Sequence, residues 1–422
     1  MKVIVVGSGL AGLTSAYFLA EAGCDVTILD RQPGPGLETS FANGALLTPS
    51  MADPWNSPGS WQTLLSSLVT PHSALKLRLK AIPGLWRWGI DFLRSSSAGC
   101  FTASTISNLR LSLYSLEAMD ALQQVHPLSF GERKAGTLRI FNDHASLERA
   151  LTAARLLKKH GLAFERLDRA ALVALEPALN PIAGELVGGI HYSSDRSGDA
   201  HRFCVGLCEA LTKMGVAVRS GTEVSRIDVR SGKATGVIVA SNYHQADKIV
   251  IAAGSFSTGL MAGAGLRLPI QPVKGYSITF PTDGSTPVLS IPIVDDARHA
   301  AVVPLEGAVR LVGTAEFAGY DLRLRRGPIN DLMKLADELL PSAKLSRGAA
   351  QKWCGLRPMS ADGVPIIGAT PIENLFVNSG QGHLGWTMAA GSGKLLADLM
   401  AGHSPAVDPA PYSPLRFTLG HC

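Results

Sequence analysis

The stretch Gly7-Ser8-Gly9-Leu10-Ala11-Gly12 restricts this chain more than any other feature. It follows a short apolar run, Lys2–Val6, and precedes a helical pattern, Leu13–Glu21, which Gly23 ends. A second apolar run, Asp25–Asp30, comes next. In such a strand–turn–helix unit the first glycine permits the tight turn and the second admits a pyrophosphate to the backbone. The third lets helix and strand pack closely. The helix N-terminus then offers unpaired N–H groups and the positive end of its dipole to phosphate. Asp30, 18 residues beyond Gly12, stands where a carboxylate accepts bonds from ribose hydroxyls. The expectation is a dinucleotide-binding α/β unit.

The rest of the chain decides between nicotinamide and flavin. A nicotinamide half-domain continues as strand–helix units, whereas here residues 33–58 are rich in Gly, Pro, Ser, Thr and Asn, a long loop beside the glycine turn. The next matching strands, Lys248–Ala253 ending at Gly254 and Leu375–Asn378 entering Gly380-Gln381-Gly382-His383, come far later. A late strand–turn–helix unit aims a helix N-terminus at the anionic edge of a reduced flavin. FAD is therefore the expected cofactor. Gly391 and Gly393 are read as turn glycines.

Composition bounds the remaining classes. With 46% hydrophobic and 17% charged residues in 422, the chain has ample material for a large core and is not disordered or fibrous. Thirty-nine basic against 34 acidic residues leave +5, too mild and too dispersed to argue for nucleic acid. The six cysteines are scattered, which suits reduced thiols in the cytoplasm. No signal peptide or membrane-spanning run is read. No metal is expected: His201, Cys204 and Cys208 share a helix face, but no second ligand pair stands at zinc spacing. Residues 61–94 mix Trp61, Trp86, Trp88 and Phe92 with Lys76, Arg78, Lys80, Arg87 and Arg94. This fits either a contact with an anionic membrane near a quinone pool or an ordinary helical subdomain. Helices are expected at Ser107–Val125, Ser146–His160, Asp199–Lys213, Ile329–Leu339 and Trp386–Met400. Strands of a second sheet are expected at Pro272–Phe280, Ala300–Pro304 and Val309–Gly313.

Eight segments, spread from Met1 to about His403, resemble the bacterial FAD-dependent D-amino acid dehydrogenases within the wider D-amino acid oxidase and glycine oxidase family. They are GSGLAG (Gly7–Gly12), LETSFANG (Leu37–Gly44), AGTLRIF (Ala135–Phe141) and SGDAHRF (Ser197–Phe203). AAGSFST (Ala252–Thr258), PVKGYS (Pro272–Ser277), CGLRPMSADGVPIIG (Cys354–Gly368) and GQGHLGWTMAAGSG (Gly380–Gly393) complete them. The last two, in this order and far from the first, are the specific ones. The resemblance implies a two-domain α/β flavoprotein: a Rossmann-like FAD-binding domain (1–55, 195–263 and 350–422) interleaved with an α+β substrate domain (56–194 and 264–349) carrying a mostly antiparallel sheet. It implies non-covalent FAD, oxidation of a D-amino acid to the imino acid, hydrolysis to a 2-oxo acid and ammonia, and a quinone or other respiratory acceptor. Peripheral contact with the inner membrane and a partner subunit accompany that picture. An oxygen-using glycine or sarcosine oxidase, or a dehydrogenase of D-proline or hydroxyproline, is the alternative.

The resemblance also assigns residues. Arg357, whose planar guanidinium suits bidentate capture of a carboxylate, falls on the family's substrate-anchoring arginine. Tyr276 and Lys274 alternate on one strand, the first toward substrate and the second toward flavin. His383 is either a proton-transfer group or a histidine bonded to backbone. FAD contacts fall on Gly7, Gly9, Leu10, Ala11, Gly12, Asp30, Arg31, Thr39, Ser40, Asn43, Gly44, Val224, Ala253 and Gly254, then on Gly382, His383, Leu384, Gly385, Trp386 and Thr387. Where many relatives carry a tyrosine, this chain has Asp296-Ala297-Arg298-His299-Ala300, so Arg298 and His299 are expected to reshape the substrate pocket. Cys354, near the position where sarcosine oxidases attach flavin, is read as a packed thiol.

Overall fold

The computed structural model describes residues 1–59, 75–78, 81–282, 288–341, 343 and 345–417. Trp61 and Lys80, singled out in the sequence, lie outside them. Lys2–Val6 is the central strand of a six-stranded sheet, parallel to Asp25–Leu29 on one side and to Lys248–Ile251 on the other. Ala217–Arg219 and Leu375–Ser379 extend it in parallel, and Ile366–Ala369 closes one edge antiparallel. Its central strands are mostly apolar because both faces are covered. Val3 and Val5 point into a core with the helices Leu10–Glu21, Ala200–Lys213 and Ala389–Ala401. Ile4 and Val6 point the other way, against the antiparallel ribbon of Val224–Arg230, Lys233–Val239 and Asn242–Gln245.

The second sheet is larger and mostly antiparallel. Its order runs Gln351–Ser360, Ile270–Pro281, Ala308–Phe317, Ala300–Leu305, Ile293–Asp295, Thr137–Phe141, Gly188–Tyr192, Glu165–Leu167, with Leu75–Leu77 beside Ala308–Phe317. Helix Arg326–Leu339 packs Ile329, Leu332 and Leu335 on its back. The front faces the glycine turn.

Two segments cross the expected domain division. Gln351–Ser360, placed by sequence in the FAD-binding part, is hydrogen-bonded along its length to Ile270–Pro281 in the large sheet. Helix Ala98–Val125, placed in the substrate part, buries Leu111, Leu116, Met119 and Leu122 beneath the parallel sheet. Gly391 and Gly393 are not turn glycines but lie inside helix Ala389–Ala401. Cys24, Cys204, Cys208 and Cys354 are free thiols. Among the described residues no helix is long and apolar enough to cross a membrane.

Candidate active site

A cavity of about 1400 Å³ runs from the glycine turn to the front of the large sheet. At its first end Gly7 has φ +112°, and a Cβ there would fall 2.6 Å from the Ala252 carbonyl oxygen. A Cβ on Gly12 would collide with the Gly7 carbonyl, so Gly12 serves helix–strand contact and does not line the cavity. The helix that starts at Leu10 has no side-chain cap from Gly9; Ser40 Oγ accepts only the Leu10 N–H, at 3.3 Å. Its first turn therefore keeps free donors for an anion, which fits a pyrophosphate.

Gly7, Gly9, Leu10, Ala11, Asp30 and Arg31 line this end, followed by Thr39, Ser40, Asn43 and Gly44. Asp30 is held by Ser8, whose N–H and hydroxyl both donate to Oδ2, and by the Gln32 N–H at Oδ1. Arg31 pairs with Glu38 and lies over the Phe256 ring. Val224, Ala253, Gly254, Gly382, His383, Gly385 and Trp386 line the cavity as expected. Leu384 and Thr387 do not. Leu384 is buried in the core under the parallel sheet, and the Thr387 hydroxyl accepts the Thr48 N–H. The glycine cradle, the uncapped helix and Asp30 together suit the pyrophosphate and ribose of FAD.

At the far end stands Arg357. Val273 pairs with it across the sheet, and its guanidinium lies over Gly275, where a Cβ would fall 2.5 Å from Cζ. Only glycine leaves that space. Arg357 donates to the Thr314 carbonyl at 3.3 Å, and its guanidinium centre is 6.0 Å from the Trp55 ring. Thr314 sits at φ +58° within a shift of register between Ile270–Pro281 and Ala308–Phe317, which turns its carbonyl toward the arginine. The other cavity arginines are matched: Arg31 with Glu38, Arg139 with Asp296, Arg298 with Asp295 and Glu338. Among the described residues Arg357 alone of the four has no carboxylate within 4.0 Å. Burial pushes it down to about 10, still a cation at neutral pH. An unmatched guanidinium on a cavity wall is a receptor for an anion.

Tyr276 lines the cavity but is buried, and its hydroxyl donates to Glu316 Oε2 at 2.6 Å. Lys274 does not reach the cavity. It is fully buried and forms a 3.0 Å ion pair with the same Glu316, since an ammonium inside protein must keep a counterion. Arg78 and Arg325 also reach Glu316. Burial alone would push the Glu316 carboxyl up; donation from Tyr276, Arg78 and Lys274 outweighs it and holds it low. The network pins the strand beside Arg357. A lone acid within the apolar run Ala308–Phe317 was the sequence signal for it.

His383 lies in the cavity wall, stacked on Trp55 at 5.5 Å, with Nε2 donating to the Met51 carbonyl at 3.0 Å. Burial drives it down to about 4, so it is neutral and bonded to backbone. Arg298 and His299 line the cavity too, Arg298 tied to its two acids and His299 at φ +47°. Cys354 is turned away, donating to the Leu322 carbonyl, and Cys204 packs under Gly36. Sequence reasoning missed Trp55 and Thr314, which carry no motif, and passed over Gly275 within PVKGYS; all three acquire meaning only around Arg357.

Comparison with known proteins agrees with this geometry. Residues 2–399 match the family model described as FAD dependent oxidoreductase. The chain is 38% identical over 411 residues to a D-amino acid dehydrogenase of Bradyrhizobium diazoefficiens, covering 97% of each. It is 38% identical over 419 residues to one of Xanthobacter autotrophicus, covering 99% of each. Among solved structures it superposes on L-proline dehydrogenase from P. horikoshii with TM-score 0.79 at 18% identity, over 100% of this chain and 98% of that one. Glycine oxidase from Bacillus cereus gives 0.71 at 23%, over 95% of each. These last two share the fold. With a uninterrupted match along nearly its whole length and an intact dinucleotide cradle, the chain belongs to the FAD-dependent oxidoreductases, as an enzyme of the family that includes the D-amino acid dehydrogenases.

Proposed function

We propose that the protein oxidises D-amino acids to imino acids, which water converts to 2-oxo acids and ammonia, and that its electrons leave to a quinone or similar carrier. The observation that carries this reading is the unmatched Arg357 guanidinium on the cavity wall, together with full-length relatives named D-amino acid dehydrogenase. Bound FAD supplies the two-electron acceptor for a hydride leaving Cα. The chain's own residues do the rest. Arg357 clamps the carboxylate and fixes Cα. Tyr276, Glu316 and Lys274 together hold the strand that carries Gly275 beneath the Arg357 guanidinium. His383, neutral, anchors the Met51 and Trp55 segment as a positioning residue. The Cys354 thiol points away from the cavity, which supports non-covalent FAD.

Helix Ile82–Arg94 buries Trp88 and Phe92 and leaves Ile82, Trp86, Ile90 and Leu93 exposed beside Arg87 and Arg94. Such a stripe supports peripheral contact with an anionic bilayer, where a quinone is dissolved. The test is anaerobic mixing of the holoenzyme with D- and L-amino acids. Flavin bleaching by D-amino acids is expected, with faster turnover on a soluble quinone than on oxygen. Arg357→Ala should raise the half-saturating concentration roughly 30-fold or more while FAD stays bound. Bleaching by no D-amino acid, or an unchanged half-saturation in the variant, overturns the reading.

A further inference from the structure

Besides Arg357 the cavity has a second charged pole. Residues Asp53, Thr137, Arg139, Tyr192 and Asp296 line it there. Arg139 is committed to Asp296, donating through Nε at 3.0 Å and again through Nη2. Tyr192 is bonded to Arg139, and burial pushes the Asp53 carboxyl up. Two carboxylates thus share one guanidinium. Among the described residues Asp53 has no ion-pair partner within 4.0 Å; Arg139 acts on it only through space. The cavity wall thus carries an acid without a matched cation, Asp53, and a cation without a matched acid, Arg357.

Both poles line the one cavity. The Arg357 guanidinium stands 6.0 Å from the Trp55 ring, and Asp53 is two residues before Trp55. Two residues of chain span at most about 7 Å. Met51 and Trp55, on either side of Asp53 in the chain, give the same cavity an apolar and aromatic wall. Such a wall suits a methylene stem whose charged head lies beyond it.

We propose that Asp53 is a specificity-determining residue that recognises a cationic side-chain terminus, so that D-amino acids of the lysine or arginine type are the preferred substrates. Arg357 takes the carboxylate, the aromatic wall takes the stem, and Asp53 supplies the counterion. A short side chain leaves Asp53 buried without that counterion. This rests on the D-amino acid reading above and deepens it.

The experiment compares D-lysine with D-norleucine, which has the same carbon stem and no ammonium group, by anaerobic flavin reduction in wild-type holoenzyme and in Asp53→Asn. In wild type, half-saturation is expected at roughly tenfold lower concentration or less for D-lysine. In Asp53→Asn that ratio is expected to collapse toward one. A wild-type ratio near one overturns the inference without need of the variant. Equal losses with both substrates, or a ratio that survives the substitution, make Asp53 structural and overturn it as well. If D-alanine or D-norleucine bleaches the flavin but D-lysine does not, the specificity claim fails and the D-amino acid reading stands. If no D-amino acid bleaches it, the broader reading fails.

Discussion

Individual residues reveal where the molecule spends stability on its site. Asp195 is fully buried beside the cavity wall and accepts from the Ser50 N–H, the Ser50 hydroxyl and the Thr137 hydroxyl. Burial pushes its carboxyl up to about 7, although those three donors pull the other way. The folded state therefore holds a proton that the unfolded chain has already released between about pH 4 and pH 7. Its contribution to stability is fully present below the unfolded value and is lost as pH rises through about 7. Relative to Asp195→Asn, wild type should gain stability on the order of a few kcal/mol between pH 8 and pH 5. Denaturant unfolding of the two holoproteins at both pH values measures it, and parallel behaviour sinks the assignment. His383 works in the opposite sense, losing stability as pH falls from 6.5 toward about 4, but equally in both proteins. Arg357 was legible in the sequence because it sits in a specific motif. Asp195 was not, because its chemistry comes from being sealed off, and sealing is a property of the fold.

At the scale of elements, the sequence showed most strands and helices, since their periodicities are local. Helix–helix contact was hidden. Helix Leu10–Glu21 crosses Ala389–Ala401 so closely that a Cβ on Gly393 would lie 2.6 Å from the Thr14 carbonyl carbon, and the Thr14 hydroxyl donates to the Ala389 carbonyl at 2.8 Å. Asn378 ties the pair, donating to Ser15 and Ser392. A small-residue stripe from one helix reads as turn glycines until its partner, hundreds of residues away, is known. Gly393 does not line the cavity, yet the helix it supports presents its N-terminus, Leu10 and Ala11, to it. Gly393→Val must push the two helices apart, an overpacking cost of roughly 1–3 kcal/mol or more. The variant should retain substantially less FAD after gel filtration, read as the ratio of flavin to protein absorbance. Wild-type flavin content in a soluble variant would separate the helix crossing from cofactor binding.

Over the whole molecule, the cavity lies between two sheets that alternate along the chain, so a division by sequence segments and a division by strand pairing differ. A boundary at residue 350 follows motif similarity, but strand pairing follows hydrogen-bond donors and acceptors, which assign Gln351–Ser360 to the large sheet and carry Arg357 with it. Arg357 thus belongs to one sheet and the glycine turn to the other. Whatever fills the space between them joins the two. A ligand that binds only the folded state adds RT ln(1 + [L]/Kd), about 4 kcal/mol at a thousandfold excess over Kd. Protein stripped of FAD should therefore melt at a lower temperature than holoprotein, and its Tm should climb with the logarithm of added FAD. The stripped protein should also lose protection from amide exchange on both facing walls, in Gly7–Gly12 and in Ile270–Pro281 alike. Loss confined to the glycine turn would mean that the cofactor stabilises only its own cradle, and that the two sheets hold together by their direct packing.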